Sequence, residues 1–288
     1  MRRAWHVVES HAAAEGSSCC IKLIQLLHAC PQAVRLGLAS EAMKVHGRVT
    51  KAISKKKGRL RWGRIFGGPV KSDGGGGSSG SAAKGSKAGS DKSTVASRLP
   101  VKLEIASGTG DWVVEQALAD VGAASWTAVE LRHDRVYAIF SRMALQAVPN
   151  LCVLGRDAAA IVGERMQSKT VAHAFINFPE PPTGWQGVED ASNALHLLAP
   201  DFFTSLHRVL EPGGHLTIFS DNGRCCRVLA ATLDQLLTGG ALLFTSQTLA
   251  HVSSYEQIGS VRLYHGVPGP ECGHLKRETS YFDRMWEY

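Results

Sequence analysis

The strand, turn and helix pattern at residues 101–111 constrains the fold of this 288-residue chain more than any other stretch. An apolar run containing Glu104 leads into a Gly-rich turn, and apolar residues at helical spacing follow from Asp111. Gly108 and Gly110 permit positive φ and let a ligand approach the backbone, while the following helix offers free N–H groups. Neither G-x-x-x-x-G-K-[ST] nor a strict G-x-G-x-x-G occurs at this turn. The pattern E-x-x-x-G-x-G therefore favours a ligand with a ribose and an amine but no phosphate, although such turns also occur without any ligand.

Strand and helix candidates alternate along the C-terminal two thirds of the chain. The predicted strands are 101–106, 126–131, 151–155, 171–177 and 215–220, and the predicted helices are 111–121, 133–147, 157–165, 201–210 and 223–237. Five strand–helix repeats indicate an α/β fold with a mostly parallel sheet covered by helices on both faces. Ligands of such sheets bind at the carboxyl ends of the strands, near the switch in strand order.

Composition divides the chain into three predicted segments: a basic, mostly helical segment 1–66, a Gly/Ser/Lys-rich flexible linker 67–98, and a domain 99–288. The first 100 residues hold 18 Lys and Arg against 5 Asp and Glu, whereas the remainder holds 14 against 20. Aromatic Trp62 and Phe66 lie among the basic residues, a combination that suits RNA backbone contact with base stacking. A solvated basic face or a localisation signal explains the same stretch equally well.

The cysteine and hydropathy patterns bound the environment of the protein. Seven cysteines with no C-x-x-C spacing predict a reducing, intracellular compartment, in cytoplasm or nucleus, with an organelle left open. No apolar run reaches the ~18 residues of a membrane span, so we expect no membrane partner. His265, Cys272 and His274 lie close together, but a fourth ligand is not evident and we expect no metal site.

Acidic residues follow three consecutive predicted strands at comparable positions. Glu104 ends the first strand, and Glu130 ends the second about 20 residues after the Gly turn, where an acid can bind ribose hydroxyls. Capping of the next helix is the alternative for Glu130. Asp157 after the third strand can accept a hydrogen bond from an adenine amine or N-cap its helix, and spacing alone does not decide.

Two further groups follow the fourth and fifth predicted strands. The Pro-rich loop after Asn177 holds Glu180 and Trp185 beside the expected ligand, where they can orient or stack on a base. A stiff connection with a core Trp is the alternative. Asp221 faces the same crevice in this arrangement, unless it only caps the next helix.

These residues carry a resemblance to a known family. The matching pieces are Glu104–Gly110, Ala128–Arg132, Gly155–Ala158, Asn177–Pro181, Ser220–Asn222 and Ser280–Asp283. Over residues 99–288 the chain resembles the tRNA (guanine-N7)-methyltransferase family, the TrmB-like branch of class I S-adenosylmethionine-dependent methyltransferases. The resemblance implies a Rossmann-like sheet of seven strands behind the basic helical arm, with S-adenosylmethionine as cofactor, tRNA or another RNA as partner, and a possible helper subunit.

The same resemblance implies roles for individual residues. The implied cofactor-binding residues are Glu104, Ser107, Gly108, Gly110, Glu130, Leu131, Asp157, Ala158 and Asn177. The implied catalytic residues are Glu180 and Asp221, and the implied substrate-binding residues are Trp185, His196, Ser280 and Asp283.

One departure from the family pattern keeps two alternatives open. The basic run that usually follows the family's F-P-D-P-W motif is missing, because no Lys or Arg occurs from Glu180 to Leu206, and His196 is its only remnant. A methyltransferase acting on another RNA or a small molecule, and a non-catalytic RNA- or partner-binding protein that retains the fold, are the alternatives.

Overall fold

The computed structural model describes residues 40–53, 58–67, 99–179, 197–240, 244, 246, 248–249 and 254–276. Its elements in chain order are α1 (Ser40–Ile53), α2 (Trp62–Ile65), β1 (Val101–Ile105), α3 (Asp111–Ala119), β2 (Ser125–Glu130), α4 (His133–Leu145), β3 (Leu151–Gly155), α5 (Ala158–Ala160, continued by a π-helix Ile161–Arg165), β4 (Val171–Asn177), α6 (Pro200–Val209), β5 (Leu210–Phe219), α7 (Gly223–Thr238), β6 (Tyr255–Ile258), β7 (Val261–Tyr264) and a 3₁₀ turn Pro270–Cys272.

Five parallel strands form the central sheet, in the order β3-β2-β1-β4-β5. This confirms the predicted parallel Rossmann-like sheet. From β1 the chain adds β2 and then β3 on one side of β1, and it then crosses to place β4 and β5 on the other side. The switch in strand order therefore lies between the carboxyl ends of β1 and β4, where a ligand crevice is expected.

The predicted seventh and sixth strands do not extend this sheet in the described part of the chain. Instead, β6 and β7 pair with each other as a separate antiparallel hairpin, joined by a two-residue turn at Gly259 and Ser260. Gly259 has φ 56°, which suits the tight turn. The hairpin packs against α7, where the Asp234 carboxylate accepts the Ser260 N–H at 2.7 Å.

Helices cover both faces of the sheet because residues in each strand point alternately to two hydrophobic clusters. Leu103, Ile105 and Ile176 face α5, α6 and α7, whereas Trp126 and Phe175 face α3 and α4. All five side chains are fully buried. The sheet is thus the middle layer of a three-layer α/β domain.

The described part of the basic segment packs into the first of these clusters. Val45, Val49, Leu60, Trp62 and Ile65 are each at most 1% exposed and share the core with the sheet. The expectation that Trp62 stacks on RNA bases is therefore wrong, because its ring is buried and its Nε1–H donates to Thr170 Oγ1 at 3.2 Å. The predicted boundaries at 66/67 and 98/99 stay predictions, and residues 1–39 and 68–98 lie outside the described residues.

Two elements differ from the predicted ones by more than two residues or in type. Strand β5 begins at Leu210 rather than 215, and its register against β4 shifts between Val171 and His173. The turn residues are absorbed as a bulge, in which Gly214 lies so close to β4 that an added Cβ would be 3.1 Å from the Ala172 carbonyl oxygen. The predicted helix 157–165 becomes a short α-helix followed by a π-helix, whose Val162 and Gly163 carbonyls accept hydrogen bonds from the Arg208 guanidinium.

No helix in the described ranges is long and apolar enough to cross a membrane.

Candidate functional site

A side-chain hydrogen bond spans the switch in strand order. Asn177, the last residue of β4, donates from Nδ2 to Glu104 Oε1 at 3.0 Å. Glu104 is only 3% exposed and lies near the carboxyl end of the central strand β1, just before the Gly turn. Two residues implied to bind the cofactor are therefore in direct contact across the β1–β4 crevice.

The Gly turn has one closed side and one open side. Gly110 has φ 82° and precedes α3, and a Cβ at this position would lie 2.6 Å from Ile139 Cγ1. Gly108 has φ 55°, and no atom lies within 4 Å of the place its Cβ would take. Gly110 is thus needed for packing, whereas Gly108 leaves open space along the backbone into which a ligand can come.

Glu130 fastens this turn to the second strand. Its Oε2 accepts the Gly108 N–H at 2.8 Å, and its Oε1 accepts the Arg132 N–H at 2.9 Å, at the N-cap of α4. The side chain is 4% exposed. A carboxylate has about four lone-pair sites, so two acceptor positions remain beside the open face of Gly108. Helix capping, one of the two predicted roles, is present, and the geometry leaves room for the second.

Asp157 and the exposed Leu131 complete this edge of the sheet. Gly155 pairs with Glu130 in the β2–β3 register, and Asp157 follows two residues later. Its Oδ1 accepts the Ala160 N–H at 2.8 Å, so it N-caps α5 as one of its two predicted roles requires. Leu131, next to Glu130, is 62% exposed and offers an apolar surface at the same edge. Strand register thus brings the three predicted acids to one side of the domain.

Backbone strain also marks the switch point. Ala106, which directly follows β1, has φ 60°, and Phe178, which directly follows β4, has φ 48°. Left-handed conformations of non-glycine residues cost about 1–3 kcal/mol and cluster at ligand sites. Neither residue could be identified from the sequence, because Ala and Phe give no signal for positive φ.

Gln116 was also missed by sequence reasoning, since a single Gln on a helix carries no motif. It is fully buried on α3, and its Oε1 accepts the backbone N–H groups of Leu275 and Lys276 at 2.8 and 3.2 Å. Its Nε2 donates back to the Lys276 carbonyl at 2.9 Å. This clamp fixes the C-terminal segment to the helix behind the Gly turn, four residues before Ser280.

A buried histidine on β4 connects the sheet to the same C-terminal segment. The Thr217 hydroxyl donates its one hydrogen to the Cys272 carbonyl at 3.2 Å, so His173 Nε2 must be the donor in the 2.8 Å bond to Thr217 Oγ1. Burial, followed by the charges of His215, Lys102 and His274, lowers the pKa of His173 to about 3. His173 is therefore neutral at physiological pH. A polar residue inside the apolar run of β4 was the available sequence signal.

Asp221 is the one predicted catalytic residue that the structure describes. It follows β5 at an exposed position, and Asn222, not Asp221, caps α7 by accepting the Cys225 N–H at 3.0 Å. Burial, assisted by the Asp221 charge, raises the pKa of the nearby Cys226 thiol. The predicted residues Glu180, Trp185, His196, Ser280 and Asp283 lie outside the described residues.

The described residues contain no group of three or more His, Cys, Asp or Glu side chains placed to hold a metal ion. His265, Cys272 and His274 belong to this part of the chain. His274 is instead 5% exposed and packs on the rings of Trp112 and Phe175, with ring centroids 4.8 and 5.7 Å apart.

Fold and site together define a Rossmann-like α/β protein whose open Gly turn is held by the acid of the neighbouring strand. Comparison with known proteins identifies the family. The chain belongs to the putative methyltransferase family, whose model matches residues 98–252.

Curated relatives narrow the comparison. The chain is 38% identical over 124 residues to a tRNA (guanine-N(7)-)-methyltransferase of Chlamydia muridarum, an alignment that covers 43% of this chain and 52% of that protein. It is 36% identical over 124 residues to the protein of that name from Chlamydia trachomatis, with the same coverage of both chains. This chain thus spans about half the length of the curated relatives it matches.

Among solved structures, the aminoglycoside resistance methyltransferase NpmB1 aligns at 14% identity with a TM-score of 0.34, covering 51% of this chain and 65% of that one. A score this low supports no argument about the present chain.

Proposed function

We propose that the protein transfers a methyl group from S-adenosylmethionine to N7 of guanine in tRNA. The observation that carries this proposal is the Glu130–Gly108 contact at an open turn, in a chain whose curated relatives are named tRNA (guanine-N(7)-)-methyltransferase. The relatives supply the substrate and the reaction, and the turn supplies a site with the shape and acceptors that a nucleoside cofactor requires.

The described residues fit the parts of the cofactor. Glu130 has acceptor positions left for ribose hydroxyls, beside the open space at Gly108. Leu131 provides an apolar surface for a purine, and Asp157 with Ala158 lies one strand further along for the adenine amine. Glu104 and Asn177, together with Ser107 and Gly110 of the turn, enclose the amino-acid end. The cofactor, when bound, supplies an electrophilic methyl group on a sulfonium.

The residues on the substrate side act by orientation. Guanine N7 already carries a lone pair, so a strong base is unnecessary and placement in line with the methyl group supplies much of the rate. Asp221 and Glu180 accept hydrogen bonds from the guanine N1–H and amino group, which fixes the base and favours the positive charge that develops on it. Trp185, His196, Ser280 and Asp283 line this side in the proposal.

Nucleoside analysis tests the proposal directly. The full chain is incubated with labelled S-adenosylmethionine and total RNA, and the RNA is digested and analysed for labelled 7-methylguanosine. Asp221→Ala is expected to lower transfer about 100-fold while leaving S-adenosylhomocysteine affinity in calorimetry unchanged. Label in a different nucleoside would contradict the substrate, and an equal loss of transfer and cofactor affinity would contradict the role of Asp221.

A second function rests on a separate observation. The absence of Lys and Arg from Glu180 to Leu206 favours a methyltransferase for another RNA or a small molecule, or a protein that binds RNA or a partner without catalysis. Binding of S-adenosylhomocysteine without transfer to any RNA would favour these alternatives. A helper subunit and an intracellular location, in cytoplasm, nucleus or an organelle, stay predictions that accord with a tRNA substrate.

A further inference from the structure

The segment before the sheet carries a dense positive charge that the site described above does not use. Residues 40–67 contain nine Lys and Arg and a single acid, Glu41. This segment also precedes residues 98–252, the part that the family model matches. Five of its basic side chains are exposed in the structure: Lys44, Lys51, Arg59, Arg61 and Arg64. We refer to these five residues as the basic surface.

The basic surface is held rigidly on the domain. Helix α1 contacts β3 and α4, and its buried Val45 and Val49 leave Lys44 and Lys51, seven residues apart, on an exposed side. Around α2, the Leu60 N–H donates to the Arg165 carbonyl at 2.9 Å, and the Arg165 guanidinium donates to the Gly58 carbonyl at 3.4 Å. These cations are therefore fixed in place by core packing and do not behave as a free tail.

Part of the basic surface lies at the amino ends of the strands, whereas the Gly turn lies at their carboxyl ends. Trp62 on α2 donates to Thr170, which directly precedes β4, whereas Asn177 at the other end of β4 bonds Glu104. Seven residues of strand separate these ends, or about 20 Å. A single partner that contacts the candidate site and also Arg61 or Arg64 must therefore be much larger than a nucleoside.

The charge distribution favours a polyanion as that partner. Residues 101–288 carry 14 Lys and Arg against 20 Asp and Glu, so the net charge of this part of the chain does not itself favour a polyanion. Arg side chains are suited to phosphate, and the burial of Trp62 removes a base-stacking platform from this surface. The basic surface can thus contact a phosphate backbone, but Trp62 cannot stack on bases there and so cannot contribute to sequence selection.

We propose that the basic surface binds the phosphate backbone of the RNA substrate at a distance from the methylated base. This inference rests on the proposed function for the identity of the RNA. It assigns to Arg59, Arg61 and Arg64 a sequence-independent contact that strengthens docking and takes no part in methyl transfer.

Charge-neutralising and charge-conserving variants of the full chain test the proposal. Arg59→Gln/Arg61→Gln/Arg64→Gln removes three cations, and Arg59→Lys/Arg61→Lys/Arg64→Lys is the matched control. The affinity for tRNA is measured against NaCl concentration. Each lost phosphate contact reduces the steepness of log K against log salt by about 0.7–0.9. The Gln variant, with three cations removed, is therefore expected to lose about 2–3 from the slope, and the Lys variant is expected to stay near wild type.

Steady-state kinetics separate docking from chemistry. The Gln variant is expected to raise KM for tRNA without changing kcat, and S-adenosylhomocysteine affinity and the melting temperature should match wild type. An unchanged salt slope in the Gln variant overturns the proposal, as does an equal loss in the Lys variant. Binding to phosphatidylserine vesicles through these residues, with the tRNA slope unchanged, overturns it in favour of a membrane surface.

The outcomes distinguish this proposal from the proposed function. Formation of 7-methylguanosine with an unchanged salt slope refutes only the basic surface. A reduced slope in the Gln variant without any methylated guanine supports an RNA-binding surface and refutes only the reaction.

Discussion

Glu130 joins structure and ligand binding at the scale of a single residue. Its two oxygens accept N–H groups from the Gly turn and from the start of α4, so the acid that is proposed to bind ribose also shapes the turn. Spacing in the sequence located this residue, but it presented capping and ribose binding as alternatives. The structure shows that one carboxylate has acceptors enough for both.

Glu130→Gln should therefore weaken both folding and cofactor binding. The amide has only one oxygen, so its NH₂ must face one of the two backbone N–H donors, which then loses its acceptor. Loss of a hydrogen bond to a charged acceptor costs about 1.5–3 kcal/mol. We expect the free energy of unfolding, measured by denaturant titration, to fall by about that amount. S-adenosylhomocysteine affinity in calorimetry should fall at least about tenfold, since 1.4 kcal/mol corresponds to that factor.

Asp134→Asn provides the control for Glu130→Gln. Asp134 is exposed and pairs with Arg132 at 2.7 Å on the first turn of α4, close to Glu130 in sequence but without a bond to the Gly turn. Its substitution should leave cofactor affinity unchanged. Equal loss of affinity in both variants would attribute the effect to local charge and not to the Glu130 contacts.

The two glycines of the turn should fail in different ways when replaced by Ala. Both have positive φ, which costs about 1–2 kcal/mol for a residue with a Cβ. At Gly110 the new methyl also meets Ile139, so we expect a larger loss of stability than at Gly108. At Gly108 the methyl enters open space that the ligand needs, so Gly108→Ala should remain folded but lose S-adenosylhomocysteine affinity. Thermal unfolding and calorimetry on the pair check this; a Gly108→Ala variant with full affinity would contradict a ligand beside that residue.

At the scale of elements, the alternation of apolar runs predicted the five strands of the sheet and most of the helices around them. The start of β5 was not predictable, because Glu211–Gly214 read as a turn and only pairing with β4 converts it into a bulged strand. The π-helix after α5 likewise has a distant partner, Arg208, which lies 43 residues beyond its last residue and donates to carbonyls in it. Tertiary contacts override local signals at both places.

The β4–β5 pair also makes stability depend on pH. His173 is neutral in the folded protein because burial lowers its pKa from 6.5 to about 3, whereas in the unfolded chain it takes up a proton near pH 6.5. Between these values the unfolded state binds more protons, so stability is complete above pH 6.5 and is lost as pH falls toward 3. This residue alone contributes a slope of up to about 1.4 kcal/mol per pH unit in that window.

Denaturant titrations between pH 7.5 and 4.5 measure this slope. His173→Gln keeps a donor for Thr217 but does not titrate, so its free energy of unfolding should vary less with pH than that of wild type. Burial also lowers the pKa of His46, and that contribution should remain in the variant. Identical pH profiles for His173→Gln and wild type would contradict a neutral, buried His173.

At the scale of the whole molecule, the described part of the N-terminal segment contributes both to the buried core and to the exposed surface. Composition predicted the charge of this segment. The sequence does not show, however, which part of the domain its apolar residues pack against. Val45, Leu60 and Trp62 complete the core over the sheet, while Lys51, Arg59 and Arg61 face solvent. Removing the whole segment would therefore expose core as well as remove charge, and could not by itself measure RNA contact.

Trp62→Ala tests whether the segment is part of the folded domain. Trp62 is 1% exposed and packs in the cluster shared with α5 and α6, and truncation of such a side chain costs about 3–5 kcal/mol. We expect a single cooperative unfolding transition at lower denaturant concentration, followed by tryptophan fluorescence and circular dichroism. Arg61→Ala, the exposed neighbour, should change stability by less than about 0.5 kcal/mol. If Trp62→Ala left the midpoint unchanged, the segment would be a separate arm, and rigid placement of the basic surface would lose its physical basis.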